Sequence, residues 1–292
     1  MSAPTFDVLI WCKNAVKAVG YDLFRHVLKR VEEVIPNIHR KIAIDDYSED
    51  KTRQLLRELR WEVYDNPSQG IASAFNEAFR IADCEFVISI EQDVILTKEW
   101  FKEVYRTLLS DEKIAVVQGL RLPIYCPSYM RKFEEYRFEW FKRHGIQIVS
   151  IDNNIYRREV INKLLPVPLE LRKYGVDLYL YSRVLEMGYR WITLEHLISG
   201  HIRKGGLWTE LKRYYRYCKG AQKLDKYTLK TFKERKRKLE MSPLRLLLSA
   251  LASPISGLKL AIKLKELGII VYYPLLRTIA LYAYFHRQNT ST

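Results

Sequence analysis

A chain of 292 residues, 48% hydrophobic and 13% aromatic, carries apolar mass for one large domain and an appendage, which excludes a disordered protein. Its formal net charge is +15, and much of that is local: positions 203–238 hold fourteen Lys or Arg against Glu210, Asp225 and Glu234. So dense a basic tract implies an anionic partner, a membrane surface or nucleic acid, because an ordinary soluble surface mixes its signs.

The first strand is predicted at Phe6–Trp11, with no charged-then-apolar leader before it, so the main domain is expected to stay in the cytoplasm. Tyr21–Val34 has helical spacing of Leu23, Val27, Leu28 and Val31 and stops ahead of Pro36. Lys41–Ile44 reads as a second strand ending in Asp45-Asp46-Tyr47-Ser48-Glu49-Asp50-Lys51-Thr52. A helix to Arg60, a strand at Trp61–Tyr64 and a helix over Gly70–Ile81 carrying Asn76 follow. The run Phe86–Ile90 is a buried fourth strand that ends abruptly in Glu91-Gln92-Asp93, before a helix to about Leu109 and a fifth strand at Ile114–Gln118. Strand and helix alternate at βαβ spacing, which predicts an α/β fold: a Rossmann-like, doubly wound, mostly parallel sheet with flanking helices.

The middle is less regular. Tyr129–Lys142 reads as a helix or lid, Ile146–Ile151 as a strand, Arg158–Leu165 and Leu178–Met187 as helices, and Tyr189–Thr193 as a strand. Gly200–Gly206 reads as a loop that its glycines leave mobile. From Leu207 to about Leu239 the pattern is helical, basic and Tyr-rich. Beyond Pro243, two apolar segments, Leu244–Leu264 and Leu267–Phe285, are broken by Pro254, Gly257 and Pro274. They are expected to lie in a membrane interface rather than span it; packing on the main domain or across a homodimer is the competing arrangement. The expected organisation is a main domain over 1–206, a basic helix over 207–242 and an apolar helical region over 243–292. Cys12, Cys84, Cys126 and Cys218 are far apart and form no C-x-x-C pair, so they read as reduced thiols with no zinc site implied.

The carboxyl ends of the strands are where an open α/β sheet binds ligands. Glu91 and Asp93 at such an end could merely cap the next helix, but carboxylates there can also hold a hard divalent cation, which in turn holds a diphosphate. Asp45 and Asp46 end the second strand on the same edge, so one carboxylate can accept hydrogen bonds from a ribose or base while another binds metal at the phosphates. The chain has no G-x-x-x-x-G-K-[ST] loop and no G-x-G-x-x-G after its first strand, which excludes a P-loop NTPase and a Rossmann dehydrogenase. Without a glycine cradle the phosphates need a cation, and Asp93 fits that task.

These residues resemble the inverting, GT-A-fold family 2 glycosyltransferases, which use nucleotide-diphospho-sugars. The family's D-D-x-S-x-D-x-T is matched by Asp45, Asp46, Ser48, Asp50 and Thr52, and its glycine followed by A-x-N by Gly70, Ala74 and Asn76. The D-x-D landmark stands as Glu91-Gln92-Asp93, with Glu for the first Asp. Asn154 with Tyr156-Arg157-Arg158 is similar to the asparagine-then-arginine stretch, and Gly175-Val176-Asp177 with Arg183 and Gly188-Tyr189-Arg190 to the G-E-D…R…G-Y-R block, Val replacing Glu. Over roughly residues 5–205 the resemblance implies a GT-A domain. Asp45, Asp46, Asn76, Glu91 and Gln92 would serve the nucleotide-sugar, with Asp46 on the nucleoside. Asp93 would ligate Mg²⁺ or Mn²⁺, with His201 as a second ligand or a diphosphate contact. Asp177 would be the general base, kept ionised by the N–H groups of a helix start. Arg203 and Lys204 would cover the diphosphate from the mobile loop.

The reading is an inverting transferase that moves a sugar from a UDP- or GDP-sugar to a lipid-linked acceptor, a polyprenyl or dolichyl phosphate or a glycan on such a lipid. It would work as a peripheral, monotopic protein on the cytoplasmic face of a membrane. The alternative is a nucleic-acid-binding protein whose 203–238 stretch tracks phosphates while its tyrosines stack on bases. It accounts for the charge but leaves the acidic strand ends and the apolar tail without a purpose.

Overall fold

Phe6–Cys12, strand β1, is buried along its whole length, because its seven residues are apolar except Asp7 and both of its faces are covered. It sits at the centre of a parallel group: β2 (Ile38–Asp45) on one side, with β3 (Glu62–Asp65) beyond it, and β4 (Phe86–Glu91) on the other. The computed structural model describes residues 4–171, 175–221 and 243–286. These strands extend into an eight-stranded mixed sheet of order β3-β2-β1-β4-β7-β6-β8-β5, completed by β5 (Val94–Ile95), β6 (Ile114–Ile124), β7 (Asn153–Arg157) and β8 (Arg190–Ile202). The parallel half is the predicted one. The other half runs antiparallel, with β7 paired to both β4 and β6, and β8 to β5. Alternating patterns along the chain do not report strand direction, so sequence spacing missed that reversal.

Helices cover the sheet through apolar stripes. In α2 (Tyr21–Val34), which follows a short α1 (Ala15–Val19), the buried residues are Phe24, Val27, Leu28, Val31 and Val34, three and four apart as a single helix face requires. The helices α3 (Thr52–Glu58), α4 (Ile71–Ile81) and α5 (Trp100–Leu109) bury Leu55 and Leu56, Phe75 and Phe79, and Trp100, Val104 and Leu108 in the same way. Each fully buried large side chain contributes roughly 1.5–3 kcal/mol relative to exposure. The carboxyl ends of β1, β2 and β4 are thereby held as a firm edge.

Two strands differ from expectation. Residues 146–151 are not a strand; their place in the sheet is taken by β7, whose Asn153, Asn154, Ile155 and Tyr156 are buried. Strand β8 is 13 residues long and runs through Gly200 and His201 to Ile202, so His201 stands on a strand rather than in a mobile loop. Its pairing with Val94 accounts for this, since the ladder bonds outweigh the freedom of an isolated glycine.

The chain divides into two units, the first comprising 1–122 and 147–202 and the second 123–146 and 203–292. The expected boundary at 206 thus falls close to the observed one, but the segment that includes α6 (Ser128–Arg143) belongs with the C-terminal helices. The reason is packing: Met130 of α6 clusters with Leu211 of α9 (Gly206–Ala221) and with Tyr272 and Leu276 of α12 (Ile269–Phe285). Pro243–Leu251 and Ser253–Leu264, α10 and α11, form a pair bent by 59°. Gly257 of α11 lets the chain approach Pro274 closely; a Cβ there would lie 3.2 Å from the proline ring. Among the described residues no single helix is long and apolar enough to cross a membrane, although the bent pair passes the test jointly. The basic tract beyond Ala221 lies outside the described residues. The two remaining helices of the first unit are α7 (Arg158–Asn162) and α8 (Val176–Glu186).

Candidate active site

The loop after β2 is built by its own side chains. Asp45, fully buried, accepts from the Ser48 N–H at 2.9 Å and the Ser48 hydroxyl at 2.6 Å, which closes the turn. Ser48 Oγ, Asp50 and Thr52 Oγ1 then accept from the N–H groups of Asn14, Lys17 and Val16 at 2.7, 2.7 and 3.1 Å. Asp45, Ser48, Asp50 and Thr52 therefore tie the β2 loop to the start of α1. Asp46 is left to face outward.

It faces a pocket of about 240 Å³ at the carboxyl edge of β1, β2 and β4, lined among others by Trp11, Lys13, Asp46, Asn66, Glu91 and Asp93. Asp46 Oδ2 accepts from Lys13 Nζ at 2.9 Å, and Oδ1 faces Asn66 Nδ2 at 3.2 Å and the Gly70 N–H at 3.3 Å. Gly70 has φ of 82°, where a side chain would strain the backbone. Gln92 lines the same pocket, and its Oε1 accepts the Lys13 N–H at 2.9 Å, which fixes the chain beyond β1.

Beside the pocket, Glu91, Asp93 and His201 each bring a ligand atom within 4.8 Å of the others. Burial, then the charges of Asp152 and Asp93, push the Glu91 carboxyl up to about 8, although Arg121 and the Trp11 indole pull the other way. A cation between these carboxylates would reverse that shift, so the donor set fits a hard divalent ion. His201 Nε2 lies 3.1 Å from Asp93 Oδ2, while Arg121 Nε donates to His201 Nδ1 at 2.9 Å. A guanidinium can only donate, which assigns the imidazole proton to Nε2, directed at Asp93. Nε2 can serve an ion once that proton moves to Nδ1, which requires Arg121 Nε to release the ring.

Arg121 continues the network. Its Nη1 pairs with Asp152 at 2.6 Å, and Asp152 accepts from the Ser150 hydroxyl at 2.5 Å. Asp177, in the first turn of α8 after Gly175, feels both: burial lifts its carboxyl, the Leu178 N–H at 2.9 Å and Arg121 lower it, and Asp152 lifts it, for a value of about 6. The helix start does favour the ionised form, as expected from sequence, but burial is the larger influence. The group is a carboxylate at neutral pH with a proton affinity high enough to act as a base.

The structure thus brings Asp46, Glu91, Gln92, Asp93 and His201 to one edge, with Asp45 behind them and Asp177 linked through Arg121. Asn76 is placed elsewhere: its carboxamide exchanges two hydrogen bonds with the Val167 backbone, at 2.9 and 2.8 Å. Its Nδ2 and Oδ1 both hold that segment, and Asn76 does not line the pocket that Asp46 faces. Arg203 and Lys204 belong to the second unit, where the Arg203 N–H bonds Ile124 O at 2.9 Å and its guanidinium lies 4.0 Å from Glu210. Lys13, Asn66, Arg121 and Asp152 were missed. Lys13 had a signal, since it directly follows the first strand on the ligand-binding edge; the others sit in no motif.

Comparison with known proteins bears on the family and the fold. The family model described as Glycosyl transferase family 2 matches residues 7–165. The O-antigen chain rhamnosyltransferase WbaN of Salmonella anatum is 25% identical over 230 residues, 73% of this chain and 70% of its own length. Among solved structures, the mannosyltransferase PcManGT of Pyrobaculum calidifontis, in complex with GDP-Man and Mn²⁺, has a TM-score of 0.70 at 15% identity, covering 100% of this chain and 89% of that one. Glucosyl-3-phosphoglycerate synthase of Mycobacterium tuberculosis, with Mn²⁺, UDP and glucosyl-3-phosphoglycerate, reaches 0.51 at 17% identity over 72% of this chain and 75% of its own. These likenesses identify the fold as GT-A.

Proposed function

The chain belongs to the glycosyl transferase family 2 and is a glycosyltransferase that draws on nucleotide-sugar donors, and from that premise we propose an inverting transfer to a lipid-linked acceptor at a membrane surface. The observation that carries the reading is the meeting of Glu91, Asp93 and His201 beside a pocket that holds Asp46 and Lys13. In this reading Asp46 and Asn66 receive the nucleoside, and Lys13 meets the negative charge of the donor. Asp93, joined by Glu91 and by His201 once Arg121 releases it, holds Mg²⁺ or Mn²⁺, the ion present in the complexes of PcManGT and the glucosyl-3-phosphoglycerate synthase. The ion, when bound, neutralises the departing diphosphate. Asp177 takes the proton of the acceptor hydroxyl or phosphate as its oxygen attacks the anomeric carbon, and a single displacement with one base inverts that centre.

Support for a lipid-linked acceptor comes from the second unit and from the relative whose name refers to an O-antigen chain. Leu244, Leu247, Leu248 and Leu251 of α10 and Ile255, Leu258 and Ile262 of α11 are all exposed. None of α10 is buried, and Arg245, Lys259 and Lys263 stand among these side chains. Apolar exposure on that scale marks an interaction surface, and its basic neighbours suit anionic headgroups. We take this face to lie in the cytoplasmic leaflet. Flotation with anionic vesicles tests it: wild type should rise with the lipid and Leu248→Glu/Ile255→Glu should stay behind, whereas equal flotation of both would remove the membrane from the reading.

The transfer itself is tested by thermal stabilisation with UDP-, GDP- and dTDP-sugars, with and without Mn²⁺. A ligand at a hundred times its Kd adds about 2.7 kcal/mol to the native state. One nucleotide should raise Tm only when metal is present, and Asp93→Ala should abolish the rise. Metal-independent stabilisation, or none with any donor, would refute the assignment.

A further inference from the structure

At the opposite edge of the sheet, where β1 and β2 begin, three side chains from distant parts of the chain converge. Asp7 is the one acidic residue in β1 and is fully buried. His39 lies at the point where the β1–β2 register shifts, between the pairs Phe6↔Ile38 and Asp7↔Arg40, and such an irregularity re-aims the side chain it carries. Cys84 comes from the turn between α4 and β4. Asp7 Oδ1 lies 3.2 Å from His39 Nδ1 and 3.4 Å from Cys84 Sγ, and Sγ lies 3.6 Å from His39 Nδ1.

We propose that Asp7, His39 and Cys84 form a second metal site, for Zn²⁺ or a similar borderline-soft divalent ion, separate from the active site. Zinc takes carboxylate, imidazole and thiolate ligands at about 2.0–2.3 Å, and a tetrahedron of those bonds has edges of about 3.4 Å for N···O and about 3.6 Å for the two involving sulfur. The observed triangle matches each edge to about 0.2 Å. A hard ion such as Mg²⁺ would not choose a thiolate, the donor that Glu91, Asp93 and His201 do not offer, so this site disfavours Mg²⁺.

The supporting shell is in place. Asp7 Oδ2 accepts the N–H groups of Asp83 and Cys84 at 2.6 and 2.9 Å, which orients the carboxylate and leaves Oδ1 for the ion. The His39 side chain is 51% exposed, so the fourth position opens to solvent and takes a water. Such a site exchanges its ion. It also joins positions 7, 39 and 84, which pins β1, β2 and the turn before β4 at the end of the sheet remote from the substrate. No C-x-x-C spacing announces it, because each ligand arrives from a different segment.

Cobalt(II) titration of the full, metal-free chain tests the proposal, because a cobalt–thiolate bond absorbs in the near ultraviolet, the three active-site donors Glu91, Asp93 and His201 include no thiol, and a band from Cys12, which lines the active-site pocket, would survive Cys84→Ser. The wild type should develop the band with one equivalent of metal. Cys84→Ser and His39→Ala should lose it, whereas Asp93→Asn should keep it. Zn²⁺ should quench the band, slow alkylation of Cys84 and raise Tm in wild type and Asp93→Asn alike. Because His39 is exposed, His39→Ala remains informative if Cys84→Ser fails to fold. Absence of the band in wild type, or a band that survives Cys84→Ser, would overturn the site. Neither result touches the nucleotide-sugar assignment, which rests on Asp93.

Discussion

Replacing Asp177 with Asn is the sharpest test of the chemistry, because it removes one negative charge and almost no volume. A base of this kind contributes about 10²- to 10⁴-fold to the rate. Asp177→Asn should therefore reduce kcat by that factor while leaving the metal-dependent stabilisation by donor unchanged. The pH profile carries a second number. Burial lifts the wild-type group from its ordinary 3.8 to about 6, and it must be ionised to accept a proton. That value is for the metal-free protein; with metal and donor bound the limb should lie at or below pH 6, activity falling roughly tenfold per unit beneath it, since only the ionised fraction reacts. Arg121 lowers this group and Asp152 raises it, so Arg121→Met should move the limb to higher pH and Asp152→Asn to lower. The assay is initial-rate sugar transfer against pH at saturating donor. A limb that neither Arg121→Met nor Asp152→Asn moves, or an Asn variant that keeps most of the wild-type rate, would show that another group is the base.

Asp46→Ala should abolish donor binding by thermal shift and leave the fold intact, since Asp45 and Ser48 close the loop without it; a donor affinity like the wild type's would remove Asp46 from the nucleoside site. Mn²⁺ affinity, measured calorimetrically, should increase from pH 6 to pH 8. Glu91 sits at about 8 in the metal-free protein and must lose its proton to bind, so Glu91→Gln should flatten the dependence. In the second unit, Gly268→Ala places a Cβ 2.4 Å from the ring of Tyr129, a packed side chain that also contacts Tyr272. Overpacking of this kind costs about 1–3 kcal/mol, visible as a lower midpoint in urea unfolding; an unchanged midpoint would mean that α6 gives way freely.

The half of the sheet nearest the N-terminus was legible because β1 and β4 are buried apolar runs and β2 and β4 end in acidic residues. Phe86–Ile90 is uninterrupted by any charge and Glu91-Gln92-Asp93 is not, so both strand and edge could be read from one stretch. In the antiparallel half the starts of β6 and β8 were legible, but β7 and the reversal of strand direction were not. Asn153 and Asn154 are polar, yet both are buried: Asn153 Nδ2 bonds Leu120 O at 3.3 Å, and the two residues pair with Ile90 and Ser89 of β4. Those partners are supplied by tertiary structure, which a hydropathy pattern does not contain. His201 shows the same limit, since the loop character of Gly200, Gly205 and Gly206 was outweighed at Gly200 and His201 by a ladder with Ile95 and Val94. Asn76 marks a different one: a motif position can serve the fold, here by anchoring Val167.

Arg121 explains why the metal side and the base side of this site are one system. Its Nε meets the imidazole that is bonded to Asp93, its Nη1 meets Asp152, and its charge also reaches Asp177. Glu91, Asp93, Asp152 and Asp177 place four carboxyl groups around this single guanidinium, so the metal-free site is short of positive charge. Burial is the larger cause of the raised Glu91 carboxyl, and that deficit adds to it; a divalent ion at Glu91 and Asp93 would remove the deficit. If His201 joins the ion, Arg121 is released from the ring and its charge is concentrated on Asp152 and Asp177. Loading the metal would then favour the ionised form of the proposed base. In that arrangement the carboxylate that receives the acceptor's proton is most ready when the group that neutralises the departing diphosphate is already in place.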